Sequence, residues 1–167
     1  MSPLNARPIL VDTNVILEAH RCRCWNPLVG GLQVETVEMC IAEAYTGQQR
    51  RRDQLIIDPG ALRKSFHSVH AVSKSITAGI ALLDGPALDI GERELWAHAF
   101  HRQDAWVLCG PDAASMRFGY IHGFRDRMIS LEELLRSVGS RIPPDLRLHY
   151  KAAWLRELFA KFALETK

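Results

Sequence analysis

Short apolar runs of strand length alternate along this chain with longer stretches in which apolar residues recur at helical spacing. Ile9, Leu10 and Val11 form the first run; Asp12, Thr13 and Asn14 interrupt it, and VILEA then resumes at helical spacing. This change of period predicts a buried strand followed by a helix over 14–20. WNPLVGGLQ, with Pro27, Gly30 and Gly31, reads as a loop. Alternation over 32–37 predicts a second strand that leads into a helix over 37–46, closed by Gly47. Residues 55–57 suit a strand and Pro59–Gly60 a turn, and the pattern up to His70 is irregular. Helices are predicted over 73–83 and 92–102, and Asp89 with Glu92 stands at capping-box spacing before the second. The run WVLC at 106–109 reads as a strand ended by Gly110 and Pro111, with DAASMRFGY as the helix after it. A last strand over 128–130 leads into SLEELLRSVG, where Ser130 and Glu133 repeat the capping-box spacing. Beyond a break at 141–144, a long amphipathic helix is predicted over 146–164. Its seam of Leu148, Ala152, Leu155, Phe159 and Phe162 is narrow enough to suit a partner helix, in this chain or in a second copy. Strands and helices in alternation predict a three-layer α/β/α sandwich with a mainly parallel sheet.

Composition narrows this picture more than it adds to it. With 167 residues the chain suits one core, and 47% hydrophobic against 24% charged residues excludes a disordered chain. A net charge of +2 does not by itself call for nucleic acid, so the Arg50, Arg51, Arg52 run matters as a local patch that suits phosphate oxygens. The opening residues lack the apolar core of a secretory leader, and no uncharged apolar stretch nears the roughly 20 residues of a membrane span. The expected location is the cytoplasm, with Cys22, Cys24, Cys40 and Cys109 as reduced thiols. HRCRC lacks the paired spacing of a zinc site and reads as a helix end and loop.

The candidate chemistry lies in the acids. Asp12 and Asp112 each follow a buried strand and precede a helix, the edge at which open α/β sheets collect ligands. Each also suits a helix cap. Leu95, Trp96 and Ala99 stand three, four and seven residues after Glu92, so this acid lies on the apolar face of its helix; Glu94 shares the polar face of His98 and Arg102. The helix over 37–46 offers a fourth acid, Glu38 or Glu43, and its phase does not choose between them. Crowded carboxylates must share protons or hold cations. An all-oxygen set points to Mg²⁺ or Mn²⁺, which activate water and steady the leaving oxygen in phosphodiester cleavage.

ILVDTNVILEA, AEAYTG, LDIGERELWAHA and LCGPDAASM, in this order, resemble the signatures of PIN-domain nucleases over residues 8–135. The resemblance implies an α/β/α domain over 1–139 that cuts single-stranded RNA with carboxylate-held Mg²⁺ or Mn²⁺, and a helical extension over 140–167 outside the family pattern. It implies catalytic roles for Asp12, Glu43, Glu92 and Asp112, with Asp12, Glu92 and Asp112 holding the metal, Glu43 completing the site, and Asn14 positioning Asp12. Many members are toxins of toxin–antitoxin pairs, which makes an antitoxin an expected partner. The family commonly has Ser or Thr two residues before its last acid, and Gly110 stands there. That departure favours the competing expectation, a non-catalytic module of the same fold that binds RNA or a protein. A phosphatase using Asp12 as nucleophile would want a second Asp at the position of Asn14.

Overall fold

The structure, a computed structural model, describes residues 3–46, 57–84 and 87–165. Five parallel strands form one sheet in the order β3-β2-β1-β4-β5: β1 Pro8–Val11, β2 Gln33–Val37, β3 Ser68–His70, β4 Val107–Cys109 and β5 Met128–Ile129. The helices are α1 Thr13–Arg21, α2 Trp25–Gly31, α3 Glu38–Thr46, α4 Pro59–Ser65, α5 Lys74–Asp84, α6 Ile90–Phe100, α7 Ala113–Ile121, α8 Leu131–Ser137 and α9 Ala152–Glu165. Together they make a three-layer α/β/α sandwich. All four residues of β1 are buried, as a central parallel strand covered on both faces requires.

The chain runs from β1 outward through β2 to β3, then returns to lay β4 on the other side of β1. Strand order therefore reverses between β1 and β4, and the loops leaving these two strands diverge there. Asp12 leaves β1 on this crevice, and Asp112 leaves β4 three residues past its end. Register ties the two strands tightly, with Val11 opposite Cys109.

Two elements differ from the sequence expectation for one reason. The loop expected at WNPLVGGLQ is helix α2, and the turn at Pro59–Gly60 is the start of α4. Pro27 and Pro59 both occupy a first helical turn, where a missing N–H costs nothing because that donor has no partner within the helix. Asp58 caps α4, accepting from the Ala61 amide at 2.8 Å. The segment up to His70, expected to be irregular, contains edge strand β3, which is three residues long and fixed by its pairing with β2. The proposed strand at 55–57 falls partly outside the described residues, as do Gly47 and the Arg50, Arg51 and Arg52 run.

The final helix begins later than expected, at Ala152, after a short 3₁₀ turn at Leu148–Tyr150. Its seam is filled from within the chain: α9 packs on α7 and α8, and Phe159 and Phe162 lie against Tyr120. Trp96 is fully buried at the centre of the aromatic cluster beneath α6 and α7, and its indole N–H donates to Ser115 Oγ at 2.9 Å.

Gly119 is the point where α7 presses on that indole. A Cβ there would collide with the Trp96 ring and come within 2.6 Å of Met128 Sδ. Glycine to alanine in a helix ordinarily stabilises by up to about 1 kcal/mol, so overpacking and propensity oppose each other at this position. We expect overpacking to win: Gly119→Ala should lower the unfolding free energy by about 1–3 kcal/mol. Urea denaturation of the two proteins checks the sign, and an equal or higher midpoint for the variant would contradict this packing.

Candidate functional site

Three helix N-termini meet at the crevice, and each carries an acid. Asp12 caps α1, its Oδ1 accepting from the Val15 amide at 2.9 Å. Asp112 caps α7, accepting from the amides of Ala114 at 2.8 Å and Ser115 at 3.0 Å. At α6 both halves of a capping box are formed: Asp89 accepts from the Glu92 amide at 2.8 Å, and Glu92 accepts from the Asp89 amide at 3.1 Å. The capping reading of these acids is thus correct, and it does not exclude a site. A cap spends one carboxylate oxygen on backbone donors, and the helix dipole offsets part of the negative charge gathered there.

Glu43 reaches the same place from α3. Thr13 Oγ1 donates to its Oε2 at 2.8 Å, and the Gly91 amide donates to its Oε1 at 3.2 Å. The approach requires glycine at 91, since a Cβ there would sit 2.9 Å from Glu43 Cδ. The alternative acid on that helix, Glu38, is turned outward to Arg63 at 2.6 Å. Geometry therefore selects Glu43. Glu94, expected on a solvated face, is only half exposed and accepts from the Met39 amide at the start of α3 at 3.3 Å.

Burial and repulsion together keep protons on this cluster. Asp12 is 4% exposed; burial raises its pKa from 3.8 to about 7, with Asp89 and Asp112 adding to the rise against the Val15 amide. Glu92, 6% exposed, is raised by burial and then by Asp89 and Asp112 to about 8. Glu43 is also raised, by burial first, with Thr13 opposing and Asp89 adding. Asp89 thus belongs to the electrostatic site although the sequence suggested only a cap. Its capping-box spacing hid this second role, since a carboxylate on a convergent N-terminus faces both its own helix and its neighbours.

Asp12, Glu43, Glu92 and Asp112 offer only oxygen donors, the kind a hard divalent cation prefers, but no three of them bring carboxylate oxygens within 4.8 Å of one another. The retained protons on Asp12 and Glu92 follow from burial first and from the neighbouring carboxylates after it. Asn14 lies at the rim, where its backbone carbonyl accepts from Tyr150 at 3.2 Å. Gly110 lies below Asp12: a Cβ there would stand 3.3 Å from both Asp12 Oδ2 and Met116 Cε. A hydroxyl side chain at this position would enter the carboxylate cluster, and glycine leaves that place open.

A second polar cluster was not legible in the sequence. Glu35 on β2, His70 on β3 and His98 on α6 bring one ligand atom each within 4.8 Å of one another. Arg102 already serves this group, donating to Glu35 Oε2 at 2.6 Å and to His98 Nε2 at 2.9 Å while also pairing with Asp104. Burial, then His70 and Arg102, lower His98 to about 4, so it stays neutral and accepts. The guanidinium fills the place between Glu35 and His98 that a cation would take, and this network holds β2, β3 and α6 together. Compared with models of known protein families and with curated protein sequences, the chain matches none.

The raised carboxyls fix the sign of a pH dependence. Folded Asp12 and Glu92 hold their protons up to about 7 and 8, whereas unfolded chains release theirs near ordinary carboxyl values of 3.8 and 4.5. The folded state binds more protons between these limits, so metal-free stability should fall as pH rises from about 5 to 8. Asp12→Asn keeps a capping oxygen and removes the charge. In chelator at pH 8 it should be more stable than the parent by about 1–3 kcal/mol, with a shallower slope against pH. Thermal melts across pH check this; identical slopes would contradict it.

Proposed function

We propose that the chain is a metal-dependent endoribonuclease that hydrolyses phosphodiester bonds of single-stranded RNA. The observation that carries the reading is the convergence of Asp12, Glu43, Glu92 and Asp112 at the strand-order reversal, with Asp12 and Glu92 raised to about 7 and 8. Asp12, Glu92 and Asp112 are the residues that would hold Mg²⁺ or Mn²⁺, with Glu43 completing the site. When bound, such an ion supplies Lewis-acid stabilisation of phosphoryl oxygens and a water of lowered pKa.

The chain's own groups do the rest. The caps of α1, α6 and α7 fix three carboxylates by backbone amides, so their remaining oxygens are held in place before substrate arrives. Thr13 and the Gly91 amide hold the Glu43 carboxylate in place, where it completes the site or orients water. No histidine base is needed. Asn14 lines the rim beside Asp112, where substrate enters. Among the described residues no helix is long and apolar enough to cross a membrane. The Arg50, Arg51 and Arg52 run belongs to this proposal as a phosphate-tracking patch, and an antitoxin protein as a partner that would restrain the activity.

A second reading, a non-catalytic module of the same fold binding RNA or a protein, is favoured by Gly110 alone. The experiment that decides is cleavage of mixed-sequence single-stranded RNA with Mn²⁺ or Mg²⁺, run beside Asp12→Asn and with chelator. Cleavage by the parent protein and a loss of at least about a hundredfold in both controls is expected, since removing one of a set of catalytic groups costs that much or more. No cleavage by folded protein with either ion would give the second reading. Gly110→Ser should then be made: a gain in cleavage would locate the deficit at that position.

A further inference from the structure

The segment between α8 and α9 closes one side of the acid crevice. An open pocket of about 370 Å³ has Asn14 and Asp112 of the acid site on its near wall, and Arg147, Leu148, His149 and Tyr150 on its far wall. The far wall is fastened to the domain by its backbone. Glu18, whose side chain is 1% exposed, accepts from the Arg147 amide at 3.1 Å; Arg21 donates to the Asp145 carbonyl at 2.7 Å and pairs with the Asp145 carboxylate at 3.0 Å. Burial raises Glu18, but Arg21 and Arg147 outweigh it and hold its carboxyl below the ordinary value. Tyr150 adds the hydrogen bond to the Asn14 carbonyl.

What this fastening leaves outward is informative. The Arg147 side chain is 59% exposed although its Nη1 lies 3.6 Å from Glu18 Oε2, and Arg147 lines the pocket. Leu148 is 62% exposed, and His149 is exposed on one face while its other face stacks on Trp154 at 5.0 Å. Carboxylates alone repel a polyanion. Arg147 is the cation among the residues that line this pocket, and beside it stands a flat ring backed by an indole.

We propose that residues 147–149 form a nucleotide subsite: Arg147 takes a phosphate of single-stranded RNA next to the acid cluster, and the Leu148–His149 surface takes a base. The inference rests on the nuclease reading for its substrate class. A guanidinium suits phosphate oxygens bidentately, and stacking on a ring backed by Trp154 accepts any base, so the subsite confers affinity with little sequence preference. The segment that carries it lies outside the residues whose pattern suggested a nuclease. It supplies what the acid site lacks.

Fluorescence anisotropy with a labelled, mixed-sequence, eight-nucleotide RNA, measured in EDTA at several salt concentrations, tests this with the full chain. Arg147→Ala should weaken binding roughly tenfold and flatten the logarithmic salt slope by about one, and Arg147→Lys should restore the slope. His149→Ala should weaken binding about five- to tenfold, with His149→Phe restoring it. Arg136→Ala, an exposed cation on α8 that pairs with Glu132 and does not line the pocket, is the control and should bind as the parent does. Binding by both alanine variants equal to that control would overturn the subsite. So would equal losses in Arg147→Lys and Arg147→Ala, which would assign Arg147 to holding the segment in place. Cleavage assayed in parallel separates the two proposals. RNA binding with this pattern but no metal-dependent cleavage would sink the nuclease reading and leave the subsite, whereas cleavage with an unchanged KM in Arg147→Ala would sink the subsite alone.

Discussion

Carboxylates crowded into one crevice at the carboxyl ends of β1 and β4 set the terms for the rest of the molecule. Left in an apolar interior they would repel one another, and Asp12 and Glu92 show the strain by keeping protons near neutral pH. The fold contains the repulsion with helix N-termini. Asp12, Asp112 and the Asp89–Glu92 pair each sit on the first turn of a different helix, where backbone donors and the positive end of the dipole offset charge. Capping and site-building are one arrangement here, and neither reading of these acids excludes the other.

Other choices follow from the same crowding. Gly91 has no side chain because Glu43 needs its space, and Thr13 turns its hydroxyl inward to hold that carboxylate. The C-terminal segment brings a cation to an acidic rim. Its anchor, Glu18, is a buried acid near the end of α1, satisfied by two guanidinium groups and an amide. Helix α1 thus connects the two sides, carrying Asp12 at its start and Glu18 near its end.

Much of this was legible in the sequence because period and position carried it. Apolar runs and one stretch of alternation gave four of the five strands, and the stripe of Leu95, Trp96 and Ala99 places Glu92 inward, where it is found buried. Helices α2 and α4 were hidden because Pro in a first helical turn, with Gly beside it in α4 and at the helix end in α2, looks like a turn, although Asp58 before Pro59 was a legible cap. Strand β3 was hidden because Ser68, Val69 and His70 make no apolar run, and at the sheet edge all three are only partly buried. Long-range registers were beyond reach in principle: nothing local says that Glu35 meets His70 and His98, or that Glu18 holds Arg147 across 129 positions. Phase could not choose between Glu38 and Glu43, and the choice came from where Arg63 and Gly91 stand.

The central claim is that these acids form a cation site whose members give up protons to bind. Calorimetric titration of Mn²⁺ into the chain at pH 7, repeated in buffers of different ionisation enthalpy, counts the protons released per ion. With Asp12 near 7 and Glu92 near 8, the account predicts release of about one proton or more per ion. Binding with no proton release, or no binding at all by the folded protein, would contradict it.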